Sequence, residues 1–424
     1  MPPVSRFMAA LVLQSSQSAS AASQAGGLLH YTLPPDKLAQ AYALYCIDVS
    51  LYFITTLYVF LVLWLMLRTR YGVRLRDFAE RISRFWLVRG AVVIAGFFVT
   101  LELLELPFSL YRHHISLQYG LSVQQWSSWF GDWAKGLALS LVVGIILGWI
   151  FYGVLRRSPR RWWFCFWLIT IPVLLFAIFI QPILIDPLFN KFEPLTDHHP
   201  ELVEQIERVV HRAGMEIPPS RMFEMKASEK TNELNAYVTG FGSSKRVVVW
   251  DTTIQHMSIP QTLFVFGHEM GHYVLGHLVK GFIIAVVLLF VFLYLTFRIA
   301  HWLMRHNGNA WGICDLSDFA SAPMLLLVFY VLSFLSEPAS NALSRHYEHE
   351  ADIYGLEITH KLVADSGRNA AESFQVLGER SLDYPHVGKF AELWLWSHPT
   401  IADREIFAQT YNPWAEGEQP KFVK

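Results

Sequence analysis

The chain has 424 residues, of which 53% are hydrophobic and 15% aromatic while only 16% are charged; ordinary globular chains carry about 25% charged residues. That deficit excludes a plain soluble enzyme and predicts membrane spans. A net charge of -1 argues against a nucleic-acid partner, and three scattered cysteines, Cys46, Cys165 and Cys314, exclude a disulfide framework and a cysteine metal site.

Residues 1–48 form an N-terminal segment. Arg6 precedes a short apolar run, Phe7 to Leu13, and Ala19-Ser20-Ala21 follows. A secretory signal with an A-x-A cleavage site and a disordered tail are equally good descriptions of it. Four apolar runs then fill 49–183, at about 49–67, 90–110, 136–155 and 162–183, each close to the length that crosses a bilayer. Trp162, Trp163 and Trp167 suit an interfacial belt. Asp48, Glu102 and Glu105 are costly at membrane depth. They call for a polar partner on another helix or for an aqueous cavity.

Residues 184–281 are more polar and read as a small α+β insert. Pro200 to Ala213 has helical periodicity, and Ser220 to Met225 suits a strand. Asn235 to Gly240 and Arg246 to Trp250 suit two more strands around a turn at Gly242-Ser243-Ser244. The insert ends on His268-Glu269-Met270-Gly271-His272, an H-E-x-x-H motif. Two histidines four apart share one face of a helix, so both rings reach one zinc ion. Glu269 stands beside the open coordination position, where a general base takes a proton from the attacking water. Chance yields such a motif in roughly 0.03 of chains this long, and the apolar entry Thr262 to Phe266 makes a surface helix a poorer account. His277, five residues past His272, falls round the helix from the zinc face, in a structural or supporting place.

Two further spans, about 282–303 and 318–337, lead to a C-terminal region, 338–424, of mixed polarity. It holds Ser344-Arg345-His346-Tyr347-Glu348-His349-Glu350-Ala351-Asp352. A catalytic zinc takes three protein ligands. Glu348 and Asp352 share a helical face, so one can ligate while the other orients an imidazole. By spacing alone, His346, His349 and Glu350 compete for the third position.

These motifs, with Leu106 to Tyr111, Asp186 to Phe192, Asn235-Ala236-Tyr237 and Ser397-His398-Pro399 in the same order, resemble the integral-membrane CAAX prenyl endopeptidases from about Leu51 onward. The resemblance implies a polytopic α-helical membrane protein whose six legible spans enclose a cavity, with a small α+β zincin-like catalytic domain. It implies one Zn2+ per chain on His268, His272 and Glu348, with Glu269 as base. Asn235, with Ala236 and Tyr237, would contact the substrate backbone, and His398 the developing oxyanion. Asp352 and Arg345 would support the ligands. The expected partners are a peptide or protein substrate, lipidated or not, and membrane lipid. Eukaryotic members have seven spans, and the missing one would precede Asp48. No motif here encodes prenyl recognition. A heat-shock-type membrane quality-control zinc protease and a metal-binding bundle without hydrolytic activity are the alternatives.

Sidedness divides the indications. Arg68, Arg70, Arg74, Arg76, Arg81 and Arg84, then Arg156, Arg157, Arg160 and Arg161, then Arg305, occupy loops on one side. The positive-inside rule makes that side cytoplasmic and turns the zinc domain and both termini outward. The resemblance implies a cytosolic catalytic face instead.

Overall fold

The computed structural model describes residues 28–240 and 245–423. The signal-like stretch and the Gly242–Ser244 turn lie outside them. Among the described residues six helices are long and apolar enough to cross a membrane. In chain order the first are α1 (Pro35–Arg68), a short amphipathic α2 (Tyr71–Ile82), α3 (Trp86–Gln118), α4 (Trp126–Arg157) and α5 (Trp162–Ile180). The apolar core of α5 continues through a wide turn to Phe189.

The apolar runs mark each span's centre, but the helices outrun them. The Leu106–Tyr111 motif does not close its span: α3 runs through Pro107 to Gln118. A proline inside a membrane helix is tolerated where neighbouring helices re-satisfy the freed backbone groups. Glu105, Arg112, His113, Lys230 and Glu233 line a cavity of about 640 Å³ between the spans and the polar insert. Glu105 thus opens onto a cavity, whereas Asp48 feels the charge of Arg112.

At the far end of the bundle the arginine-bearing segments gather. Arg76 pairs with Asp318, Arg70 donates to the carbonyls of Ala310 and Asn309, and Arg156 lies over the Trp86 ring.

At the other end sits the α+β unit. Helix α6 (Pro200–Arg212) packs its apolar face on a four-stranded sheet of β1 (Phe192–Pro194), β2 (Met222–Met225), β3 (Ala236–Thr239) and β4 (Arg246–Trp250). The strand order is β1-β2-β4-β3, with β2 and β4 parallel and both outer strands antiparallel to their neighbours. Strand β3 is therefore an edge. Helix α7 (Ile259–Val274) carries the H-E-x-x-H motif against the inner face of β3.

Helix α8 (His277–Trp311) is the fifth span, and α9 (Ala322–Thr359) is the sixth. At 38 residues α9 is about 57 Å long, nearly twice the ~30 Å hydrocarbon core. It passes through Pro338 without a break, so the 337/338 boundary read from composition falls inside one rod. Its second half is buried in the catalytic unit among α7, α10 (Ser366–Ser381) and α11 (Ile401–Thr410).

Candidate metal centre

Helix α7 starts with a reciprocal cap: Ser258 accepts from the Gln261 backbone N–H and Gln261 returns the bond. Thr262 to Phe266 then enter the core, which fixes the helix's rotation and presents His268 and His272 to α9. The two helices approach closely at glycines. A Cβ on Gly271 would lie 3.2 Å from the Ala351 Cα, and one on Gly355 would lie 3.0 Å from the His268 backbone nitrogen. That approach sets Glu348 opposite the two histidines.

His268 Nε2 lies 3.2 Å from His272 Nε2 and 3.2 Å from Glu348 Oε2, and His272 Nε2 lies 3.4 Å from Glu348 Oε1. Three ligands of a tetrahedral zinc, each ~2.0–2.1 Å from the ion, stand ~3.3 Å apart. Glu348 Oε2 is buried and accepts no well-formed hydrogen bond, although two imidazole nitrogens stand near it. Lone pairs converging without protons between them suit a cation. These residues fit the metal.

The electrostatics agree. Burial pushes His268 down, but its hydrogen bond to the Asp352 carboxylate and the nearby Glu348 carboxylate outweigh it and raise the ring to about 9. The pocket thus favours a positive charge at this position, which a proton or a metal ion supplies. Asp352 Oδ1 meets His268 Nδ1 at 2.8 Å, leaving Nε2 to face the ligand cluster. The Glu269 side chain makes no hydrogen bond or ion pair with any described residue, and burial raises its pKa against the pull of His268 and His272.

His398 reaches the same spot from the C-terminal region: its Nε2 is 3.3 Å from Glu348 Oε2 and its side chain is half exposed. Arg345 is not beside the ligands. It donates to the carbonyls of Glu392, at 3.0 Å, and Trp396, at 2.5 Å, and so holds the loop that carries His398. Asn235 is exposed at the head of edge strand β3. Its N–H donates to Thr253 Oγ1 at 2.8 Å, and its carbonyl accepts from that hydroxyl and from Trp250 N–H. Ala236 is buried and Tyr237 half-buried in the same strand.

The competing ligands go elsewhere. His349 packs on Phe407, with ring centroids 4.5 Å apart. His346 is exposed, and Glu350 meets His277 at 3.2 Å. Arg404 is the site residue that spacing did not reveal. Nearly buried, it pairs with Asp352 and lies 3.8 Å from Glu348 Oε2. Its signal was an arginine six residues past His398, on a helix capped by Thr400.

The model for peptidase family M48 matches residues 197–409, and that for the CAAX prenyl protease N-terminal region, described as five membrane helices, matches 28–191. The described residues of 28–191 hold four spans. A metalloprotease of Bacillus subtilis, YhfN, is 36% identical over 321 residues, covering 76% of this chain and 73% of that protein. CAAX prenyl protease 1 of Saccharomyces cerevisiae is 27% identical over 323 residues, covering 71% and 68%. The crystal structure of S. mikatae Ste24p superposes with a TM-score of 0.71 at 22% identity, covering 96% of this chain and 98% of that one, which establishes the shared fold.

Proposed function

The chain belongs to peptidase family M48 and is an integral, multi-pass membrane metallopeptidase, and from that premise we propose a zinc endopeptidase whose metal is held by His268, His272 and Glu348. One observation supports this most directly: three ligand atoms stand 3.2–3.4 Å apart, beside the unpartnered carboxylate of Glu269.

When bound, zinc lowers the pKa of water and polarises the scissile carbonyl. The chain's own residues do the rest. Edge strand β3 holds the peptide extended by adding it to the sheet. Glu269, its pKa raised by burial, takes the proton of the attacking water and hands it to the leaving amine. His398, at the rim of the cluster, donates to the oxygen on which negative charge develops. Asp352, gripped by Arg404, fixes the His268 ring so that Nε2 meets the metal.

Glu269→Gln tests this. The variant should bind one zinc per chain, keep its fold and lose peptide turnover. Turnover at the wild-type rate would refute the base assignment, whereas stoichiometric zinc with no turnover even in the wild type would leave the metal-binding bundle as the better account.

For substrate, we infer a peptide or protein cut near its C-terminus, without nucleic acid. Relatives named CAAX prenyl proteases support the lipidated form. Parallel assays on one peptide with and without a prenyl group discriminate: equal kcat/KM would remove prenyl selectivity. A heat-shock-type quality-control protease is less favoured, because the model for the CAAX prenyl protease N-terminal region matches residues 28–191.

A further inference from the structure

We propose that Glu350 and His277 form a positioning relay that fixes the tautomer and orientation of His272, a statement that rests on the metal site proposed above. His277 Nδ1 lies 3.0 Å from His272 Nδ1, and His277 Nε2 lies 3.2 Å from Glu350 Oε2. The His277 side chain is 4% exposed, and its ring stacks on Tyr347 with centroids 4.5 Å apart and planes 15° apart.

Donor counting assigns the protons. A carboxylate only accepts, so His277 presents an N–H at Nε2. The neutral ring then has a lone pair at Nδ1. Across a 3.0 Å gap one proton is needed, so His272 carries it at Nδ1 and donates. His272 is left with its lone pair at Nε2, the atom that faces His268 and Glu348. The carboxylate of Glu350 thus sets His277, and His277 sets His272. On the other ligand Asp352 does the same job without an intermediary. Glu350 is itself steadied at its second oxygen by Lys421, at 3.7 Å, and His346, at 3.9 Å.

The backbone explains how His277 gets there. Helix α7 ends at Val274, and Gly276 adopts φ +70° before α8 begins. A left-handed residue at that point turns the chain back, so the first residue of the fifth span meets the second histidine of the motif. The relay therefore joins a membrane span to a metal ligand.

The test is zinc affinity of the full-length protein in detergent, by competition with a fluorescent chelator, alongside the melting temperature of the chelator-treated protein. His277→Phe keeps the ring on Tyr347 but cannot accept from His272. It should weaken zinc binding by ~10–100-fold, the usual cost of losing such a support. Glu350→Ala should weaken it in the same direction, and Glu350→Gln, which still accepts from His277, should restore it. Wild-type affinity in both His277→Phe and Glu350→Ala would overturn the relay, as would a loss of apo melting temperature with affinity unchanged. If His277→Phe does not fold, the Glu350 pair decides alone. His272→Ala separates the two levels: wild-type affinity in that variant means the metal site itself is misassigned.

Discussion

Arg404 grips Asp352 through two nitrogens, Nε at 2.9 Å and Nη2 at 2.7 Å, while the same carboxylate touches His268 Nδ1 at 2.8 Å. The pair is buried, so its members depend on each other. Arg404→Ala would leave the Asp352 charge without a partner, at a cost on the order of 3–5 kcal/mol. It should lower the melting temperature in calorimetry and weaken zinc binding by ~10–100-fold through the loosened His268 ring. Arg404→Lys should recover part of the stability but less of the affinity, because one ammonium cannot span both carboxylate oxygens. Unchanged affinity in Arg404→Ala would confine the arginine to a stability role.

Much of this arrangement was legible in the sequence, and the exceptions share a cause. The six spans show as continuous apolar runs, and the sheet shows as short β-branched runs, with Arg246–Trp250 correct to the residue. Helix ends were not legible. In α1 the extra turns carry Ala41 and Leu44 into a buried cluster with Leu382, hundreds of residues away in sequence. Arg404 escaped for the same reason, since its partner lies 52 residues upstream. His277 was placed round the helix because the motif helix was read as continuous. Gly276 breaks it and returns the ring to His272.

His398 should act in the transition state. It is half exposed yet 3.3 Å from Glu348, close enough to the cluster to meet an oxygen that gains charge during attack. His398→Ala should lower kcat by ~10²–10³ with KM little changed. Steady-state kinetics on a short peptide measure the split. A rise in KM at constant kcat would make His398 a ground-state binding residue.

Glu405 offers a pH test away from the metal. It is 1% exposed, neither carboxylate oxygen has a well-formed hydrogen bond among the described residues, and burial, opposed by the Tyr31 backbone N–H, raises it to about 7. A carboxyl with a raised folded pKa costs nothing while both states are protonated. The cost appears as pH rises past the unfolded value near 4.3 and is complete above about 7. Glu405→Gln should therefore stabilise the protein at pH 8, by on the order of 3 kcal/mol, and give little gain at pH 4. Melting temperatures across that range decide it; a gain independent of pH would mean that ionisation of Glu405 is not the cause.

Orientation can be settled from two exposed positions at opposite ends of the bundle. Native Cys314 lies beside the arginine-rich end, where Arg70 and Arg76 meet the 309–318 segment. Glu207 is exposed on α6 in the catalytic unit. Positive loops favour the cytoplasm by a bias in insertion, not by any contact in the finished fold. The clustering of Arg70, Arg76 and Arg156 at one end therefore predicts an outward catalytic unit. Intact cells carrying Glu207→Cys, with the three native cysteines replaced by Ala, should label with a membrane-impermeant maleimide. Cys314, in a chain where Cys46 and Cys165 are replaced, should label only after lysis. The reverse pattern would place the catalytic unit in the cytosol, and would mean that folding of the 184–281 insert overrides the charge of the loops.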